Sequence, residues 1–250
     1  MAAFIKCIRL AVPSANIMPP TFRRFGSVLT QHACDTIPEL PSPSSDQQRI
    51  ADLLSVSHLV SVPSLMSNRC HLGHKTGTLN DMMRPFIFGE RLGVCIFDLD
   101  KTSLYLHRAL SFIAQIAYSD GIILFIGNDR WNLSFLEQAA ASCGEYSHAR
   151  KWELGTFTDA TSKFRTEVRL PDVVILTNTL VNAVESHPAL TESSALCIPV
   201  VAIVDSNCDP RLIDYPVPGN DDSPSSVRYF VNLFKAAILL GKKAKAKEQS

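Results

Sequence analysis

The first 34 residues contain no acidic side chain, although the 250-residue chain carries 24 Asp and Glu against 24 Lys and Arg. No apolar run reaches the ~18 residues that a membrane-spanning helix requires, so no membrane contact is expected. The seven cysteines are an odd number, widely scattered, with no Cys-x-x-Cys pair. That pattern argues against a disulfide framework and against a zinc ribbon. No Gly-x-Gly-x-x-Gly follows an apolar stretch, and Gly73 and Gly77 lack the Gly-Lys-Ser/Thr ending of a phosphate-binding loop. Nucleotide-binding classes are therefore disfavoured, and no small-molecule substrate or cofactor is expected.

What is present is the composition of a folded protein, with 46% hydrophobic and 19% charged residues. The charge is unevenly placed. Lys6, Arg9, Arg23 and Arg24 lie in the acid-free start, and Lys242, Lys243, Lys245 and Lys247 close the chain. Between them, residues 35–241 hold 16 Lys and Arg against 23 Asp and Glu, a net of −7. A body of that sign excludes RNA binding over its whole surface and leaves room only for local contacts. Residues 1–34, with basic and hydroxyl residues and short apolar pairs, have the make-up of a mitochondrial transit peptide. Residues 35–64, with Pro38, Pro41 and Pro43 among serines, predict a linker and a short helix near 47–55. A domain then spans 65–240, followed by a basic C-terminal tail over 241–250.

Within the domain, 70–93 reads as a Gly- and His-bearing loop region. Apolar runs at 94–99, 122–126, 173–176 and 200–204 predict buried strands. Helices are predicted at 102–119, at 132–142 with Gly144 as the stop, at 180–194, and at 225–240 with Pro224 in its first turn. Cys95, Cys143 and Cys197 sit in apolar surroundings and are expected in the core. Strands that are apolar throughout, alternating with amphipathic helices, imply an α/β fold. Its parallel sheet is sandwiched by helices, in the Rossmann-like or flavodoxin-like three-layer manner.

Two motifs suggest chemistry. Cys70, His71 and His74 offer soft and imidazole donors, but no second pair stands at a zinc-site spacing, and no metal is expected. The run Cys95 to Thr102 ends in Asp98-x-Asp100-x-Thr102, similar to the first motif of haloacid-dehalogenase-like phosphatases. There one carboxylate attacks phosphorus and the second is the acid/base. Thr177 and the pair Asp221-Asp222 could imitate later motifs of that family. The lysine it needs between them is missing, since Arg211 is the only cation from 178 to 221. Such a phosphatase, and an α/β protein-interaction module, are two readings of the chain. His58, His107, His148 and His187 stand alone and are read as surface or packing residues.

Four segments together resemble the small-subunit ribosomal protein two family. They are 71–76 continuing through 83–93 (Met-Arg-Pro-Phe-Ile-Phe-Gly-Glu-Arg-Leu-Gly), 96–102, 152–159 (Trp-Glu-Leu-Gly-Thr-Phe-Thr-Asp), and the long run 198–222. In this chain only 160–170 joins the third segment to the next strand, so the long helical hairpin of bacterial members is absent. The resemblance implies a mitochondrial member: a structural, non-enzymatic constituent of the small ribosomal subunit in the matrix. It would contact small-subunit rRNA and neighbouring ribosomal proteins. The candidates for contact are His71, His74, Lys75, Arg84, Arg91, Arg130, Arg150, Lys151, Trp152, Lys163 and Arg165. Cations would meet phosphates, and His and Trp side chains would stack on or hydrogen-bond to exposed bases.

Overall fold

The computed structural model describes residues 56–182 and 185–248. The expected transit segment, and the linker and helix expected before residue 56, lie outside the described residues.

Three of the predicted strands form the centre of a five-stranded parallel sheet. They are β4 (Ile123–Ile126), β6 (Val173–Leu176) and β7 (Val200–Val204), joined by β5 (Tyr146–His148) and β8 (Tyr215–Pro218) in the order β5-β4-β6-β7-β8. Numbered within the sheet this is 2-1-3-4-5, the flavodoxin-like doubly wound order. Successive side chains of a strand point to opposite faces. Val173 and Ile175 therefore enter one core with Ile123, Phe125, Val201 and Ile203, while Val174 and Leu176 enter a second with Ile126, Ala202 and Val204. Burial on both faces is why these strands carry no polar alternation.

The first core is closed by α2 (Leu99–Tyr118), α3 (Leu133–Cys143) and α6 (Pro224–Glu248). Asp98 caps α2, its side chain accepting from the Asp100 N–H at 3.2 Å, and α3 stops at the left-handed Gly144. Helices α2 and α6 pack backbone to backbone at Gly241. A Cβ built there would lie 2.4 Å from the Ala114 carbonyl oxygen and 3.0 Å from the Ala117 Cβ. The second core is closed by α5 (Pro188–Ala195) and by the loop holding Trp152 and Phe157. Two short helices, α1 (Val62–Ser67) and α4 (Ala160–Phe164), complete the set.

Several boundaries differ from expectation. The region read as loop over 70–93 contains β1 (Leu72–Lys75) and β2 (Ile87–Arg91). With β3 (Val94–Phe97) they form a separate antiparallel sheet in the order β1-β3-β2. Strand β8 was hidden by Pro216 and Pro218. The Gly219 N–H donates to the Val204 carbonyl at 3.0 Å, so the odd positions face β7 and both prolines face outward. On that outward side their missing N–H breaks no ladder bond. The helix predicted at 180–194 occupies only Pro188–Ala195. Helix α6 runs on through residues expected as a tail, since Lys242 reaches Glu145 and Lys245 reaches Asp120. Cys197, expected in the core, is exposed, whereas Cys95 and Cys143 are buried.

Candidate RNA and protein contact sites

The small sheet is fastened to the carboxyl ends of β7 and β8 by its first strand. Gly73 makes the approach possible: a Cβ there would stand 3.0 Å from the Ser206 hydroxyl and 3.3 Å from an Asp205 carboxylate oxygen. The His74 N–H donates to the Ser206 Oγ at 2.9 Å, and the Asn80 N–H to the Ser206 carbonyl at 2.9 Å. The His74 ring bridges two carboxylates, with Nδ1 3.1 Å from Asp205 and Nε2 3.3 Å from Asp222. Asp221 completes the group, and the four side chains offer donor atoms within 4.8 Å of one another.

Such a cluster must find compensating charge, because Asp205 is 1% exposed and Asp221 is also buried. Protons supply part of it. The hydrogen bond to Asp205 pushes the His74 pKa up to about 9, so the ring is a cation at neutral pH. Burial, then the nearby Asp205 and Asp222, raises the Asp221 carboxyl well above the usual range. One imidazole and three carboxylates are also a mixed donor set of the kind that holds a divalent cation. The Cys70-His71-His74 grouping considered from sequence does not form this set. Cys70 is buried, burial pushes its thiol up to about 11, and His74 meets the three aspartates.

Asp98 and Asp100 lie elsewhere. They follow β3 of the antiparallel sheet, where Asp98 caps α2 and pairs with Lys101 at 3.5 Å. Thr177 follows β6 of the parallel sheet. The phosphatase-like motif is thus a strand–cap–helix junction, in which the Asp98 carboxylate has a structural task.

The predicted contact residues fall into three places. His71, Lys75, Arg84 and Arg91 lie with His74 on or beside the small sheet, where Lys75, Arg84 and Arg91 are exposed. Arg130 is exposed just before α3. Arg150, Lys151, Lys163 and Arg165 are exposed along the connection from β5 to β6. Trp152 differs from these, being buried between His148 (ring centroids 4.9 Å), Phe157 (4.8 Å) and His187 (5.9 Å). In this position its ring is a packing element of the second core.

Sequence reasoning missed two features. Phe88 (81% exposed) and Leu92 (95%) project from the small sheet, and Trp131 (80%) projects beside Arg130. A tryptophan between Arg130 and Asn132, in a polar stretch, was the available signal. Glu192 had no such signal. It is 6% exposed and its carboxylate accepts the Gly155 N–H at 2.7 Å, the Phe157 N–H at 2.8 Å and the Trp152 indole N–H at 3.4 Å. One carboxylate therefore holds the whole Trp152–Phe157 loop.

Beside that loop His187 caps α5, its Nδ1 accepting the Ala189 N–H at 3.2 Å. Burial, with neighbouring His148, lowers its pKa to about 4, against an opposing pull from Glu192. The folded pKa lies below the ordinary 6.5, so the stabilisation is complete above pH 6.5 and is lost as pH falls towards 4. Linkage of this size corresponds to about 3 kcal/mol. We predict that the urea midpoint falls between pH 6.5 and 4, and that His187→Asn, which retains a capping oxygen, flattens that limb. An unchanged slope in the variant would assign the acid sensitivity to other groups.

The family described as Ribosomal protein S2 matches residues 65–167 and 160–241. The chain is 45% identical over 198 residues to the small ribosomal subunit protein uS2m of Bos taurus, covering 79% of this chain and 68% of that protein. It is 32% identical over 222 residues to uS2m of Schizosaccharomyces pombe, covering 80% and 78%. It is 31% identical over 225 residues to the uS2 protein of Maricaulis maris, covering 72% and 77%. The family match takes in both sheets and the carboxylate cluster between them, and the chain belongs to the ribosomal protein S2 family.

Proposed function

We propose that this protein is a structural constituent of the mitochondrial small ribosomal subunit, and not an enzyme. The observation that carries the proposal is the 45% identity to a bovine small-subunit protein of the mitochondrial type over most of both chains. The acid-free residues 1–34 serve as the import signal, the stretch from 35 towards Val56 as a linker, and the folded domain, which Val56 already joins, works in the matrix. Exposed cations on a body of net negative charge support local rRNA contacts, with neighbouring proteins meeting the rest of the surface. Arg91 at the end of β2 and Arg84 in the helical turn before that strand, close in sequence to the projecting Phe88 and Leu92, are the first phosphate contacts to test.

The experiment is sedimentation of a mitochondrial lysate on a sucrose gradient, comparing wild type with Arg84→Glu/Arg91→Glu. Wild type should travel with the small subunit at moderate salt. The double variant should fall about fivefold or more in that fraction, as expected for losing two phosphate contacts and adding repulsion. Both side chains are exposed, so its thermal midpoint should match wild type. Wild-type protein remaining among free proteins while small subunits form normally would end the ribosomal reading.

A further inference from the structure

A parallel sheet has to be covered on both faces, and here one end of one face is open among the described residues. Leu124 pairs with Tyr146 and Ile126 with His148, so these four side chains share the face that α5 covers further along. Over β4 and β5 the crossover supplies only the Trp152–Phe157 loop and α4. At five residues, α4 spans roughly 7 Å, too little to cover two strands. What remains is a cavity of about 490 Å³ whose apolar lining includes Leu124, Tyr146, Trp152, Phe157, Phe164 and Val168. Phe164 and Val168 are themselves exposed at its rim.

The surroundings are charged with one sign in excess. Residues 149–170 hold five Lys and Arg against three Asp and Glu, on a body that is otherwise acidic. Lys163 pairs with Glu153 and Arg169 with Asp172. Arg150, Lys151 and Arg165 are exposed and have no ion pair with a described residue. The family match also breaks into two stretches that overlap at 160–167, within the crossover that carries α4.

We propose that this groove is a docking site for a segment of a neighbouring polypeptide, one that is acidic and lays a bulky aromatic or branched apolar side chain into the cavity. The apolar lining selects such an anchor over a nucleobase, which would leave its hydrogen-bonding edges unmet. Arg150, Lys151 and Arg165 beside the cavity, against the Glu167 carboxylate on its lining, select the flanking charge by complementarity. The neighbour covers the sheet face that α4 leaves open. The assignment rests on the ribosomal reading in taking that neighbour from the small subunit.

The test replaces Phe164 by a photoreactive benzoylphenylalanine in the full chain. Cells are irradiated, the lysate is fractionated on a gradient, and the adduct is mapped by mass spectrometry. The expected result is a dominant adduct to one stretch of another polypeptide, net negative over about ten residues and bearing an apolar side chain at the bond. Arg150→Glu/Lys151→Glu/Arg165→Glu should cut its yield about fivefold or more while leaving the thermal midpoint unchanged. An adduct to rRNA, to residues 1–55 of the same chain, or to a net basic stretch overturns the proposal. So does a yield no higher than from the same photoreactive residue at exposed Leu212. The position of the chain in the gradient reports separately on the ribosomal reading, so either can fail alone.

Discussion

Glu192→Ala is expected to lower stability by about 3 kcal/mol, read as the urea midpoint at constant slope. The substitution deletes one side chain but strands three donors: the Gly155 and Phe157 backbone N–H groups and the Trp152 indole N–H. A buried N–H left without an acceptor costs about 1–3 kcal/mol, and partial opening of the loop relieves some of the total. Glu192→Gln should recover only part of the loss. Donors reach both carboxylate oxygens, and a carboxamide must turn its own NH2 group towards one of them. Trp152 fluorescence should shift to the red in the alanine variant as the ring meets water. A midpoint within about 0.5 kcal/mol of wild type would mean that the loop is held by apolar packing alone.

The second large effect is expected at Gly241. A valine there drives its Cβ into the Ala114 carbonyl oxygen, a backbone atom in the middle of α2 that cannot swing aside. The two helices must separate along the seam that also buries Ala114, Ala117, Ala237 and Ile238. Overpacking of this kind costs about 1–3 kcal/mol where side chains can adapt. With backbone on the far side we place Gly241→Val at the upper end, about 3 kcal/mol. Gly241→Ala should cost less, because alanine regains up to about 1 kcal/mol of helix propensity over glycine. Gly77→Ala is the control, since a Cβ there meets no atom within 4 Å. Thermal unfolding of the three variants decides the matter: a valine variant as stable as Gly77→Ala would show the helices free to slide.

Strands β4, β6 and β7 were legible because burial on both faces leaves only apolar residues in them. The helix stop at Gly144 and the proline in the first turn of α6 were legible because their chemistry is local. β5 was not, being three half-exposed residues, and β8 was not, because its two prolines imitate a loop. The small sheet was obscured by glycines and histidines, which carry little strand propensity. The last turns of α6 read as a tail because their lysines find acidic partners more than 90 residues away in sequence. The same holds for the sites. His74 was visible as a candidate, but its partners Asp205, Asp221 and Asp222 come from the ends of two distant strands. Glu192 stands in an unremarkable helix and acquires its role only when the Trp152 loop folds over it. Cys197 was misplaced because its apolar neighbours belong to a turn at the end of α5, where its own φ of 56° turns the chain outward.

The outward prolines of β8 have a consequence for the chain before it meets any partner. A sheet that polymerises by strand addition needs two receptive edges, one to accept and one to be accepted. With Pro216 and Pro218 pointing away from β7, that side of the sheet presents carbonyls without the alternating donors a new strand would require. The opposite edge, β5, is three residues long. In an unassembled copy, strand addition to this parallel sheet is left to β5 alone among the described residues, and growth from it has no second edge on which to continue.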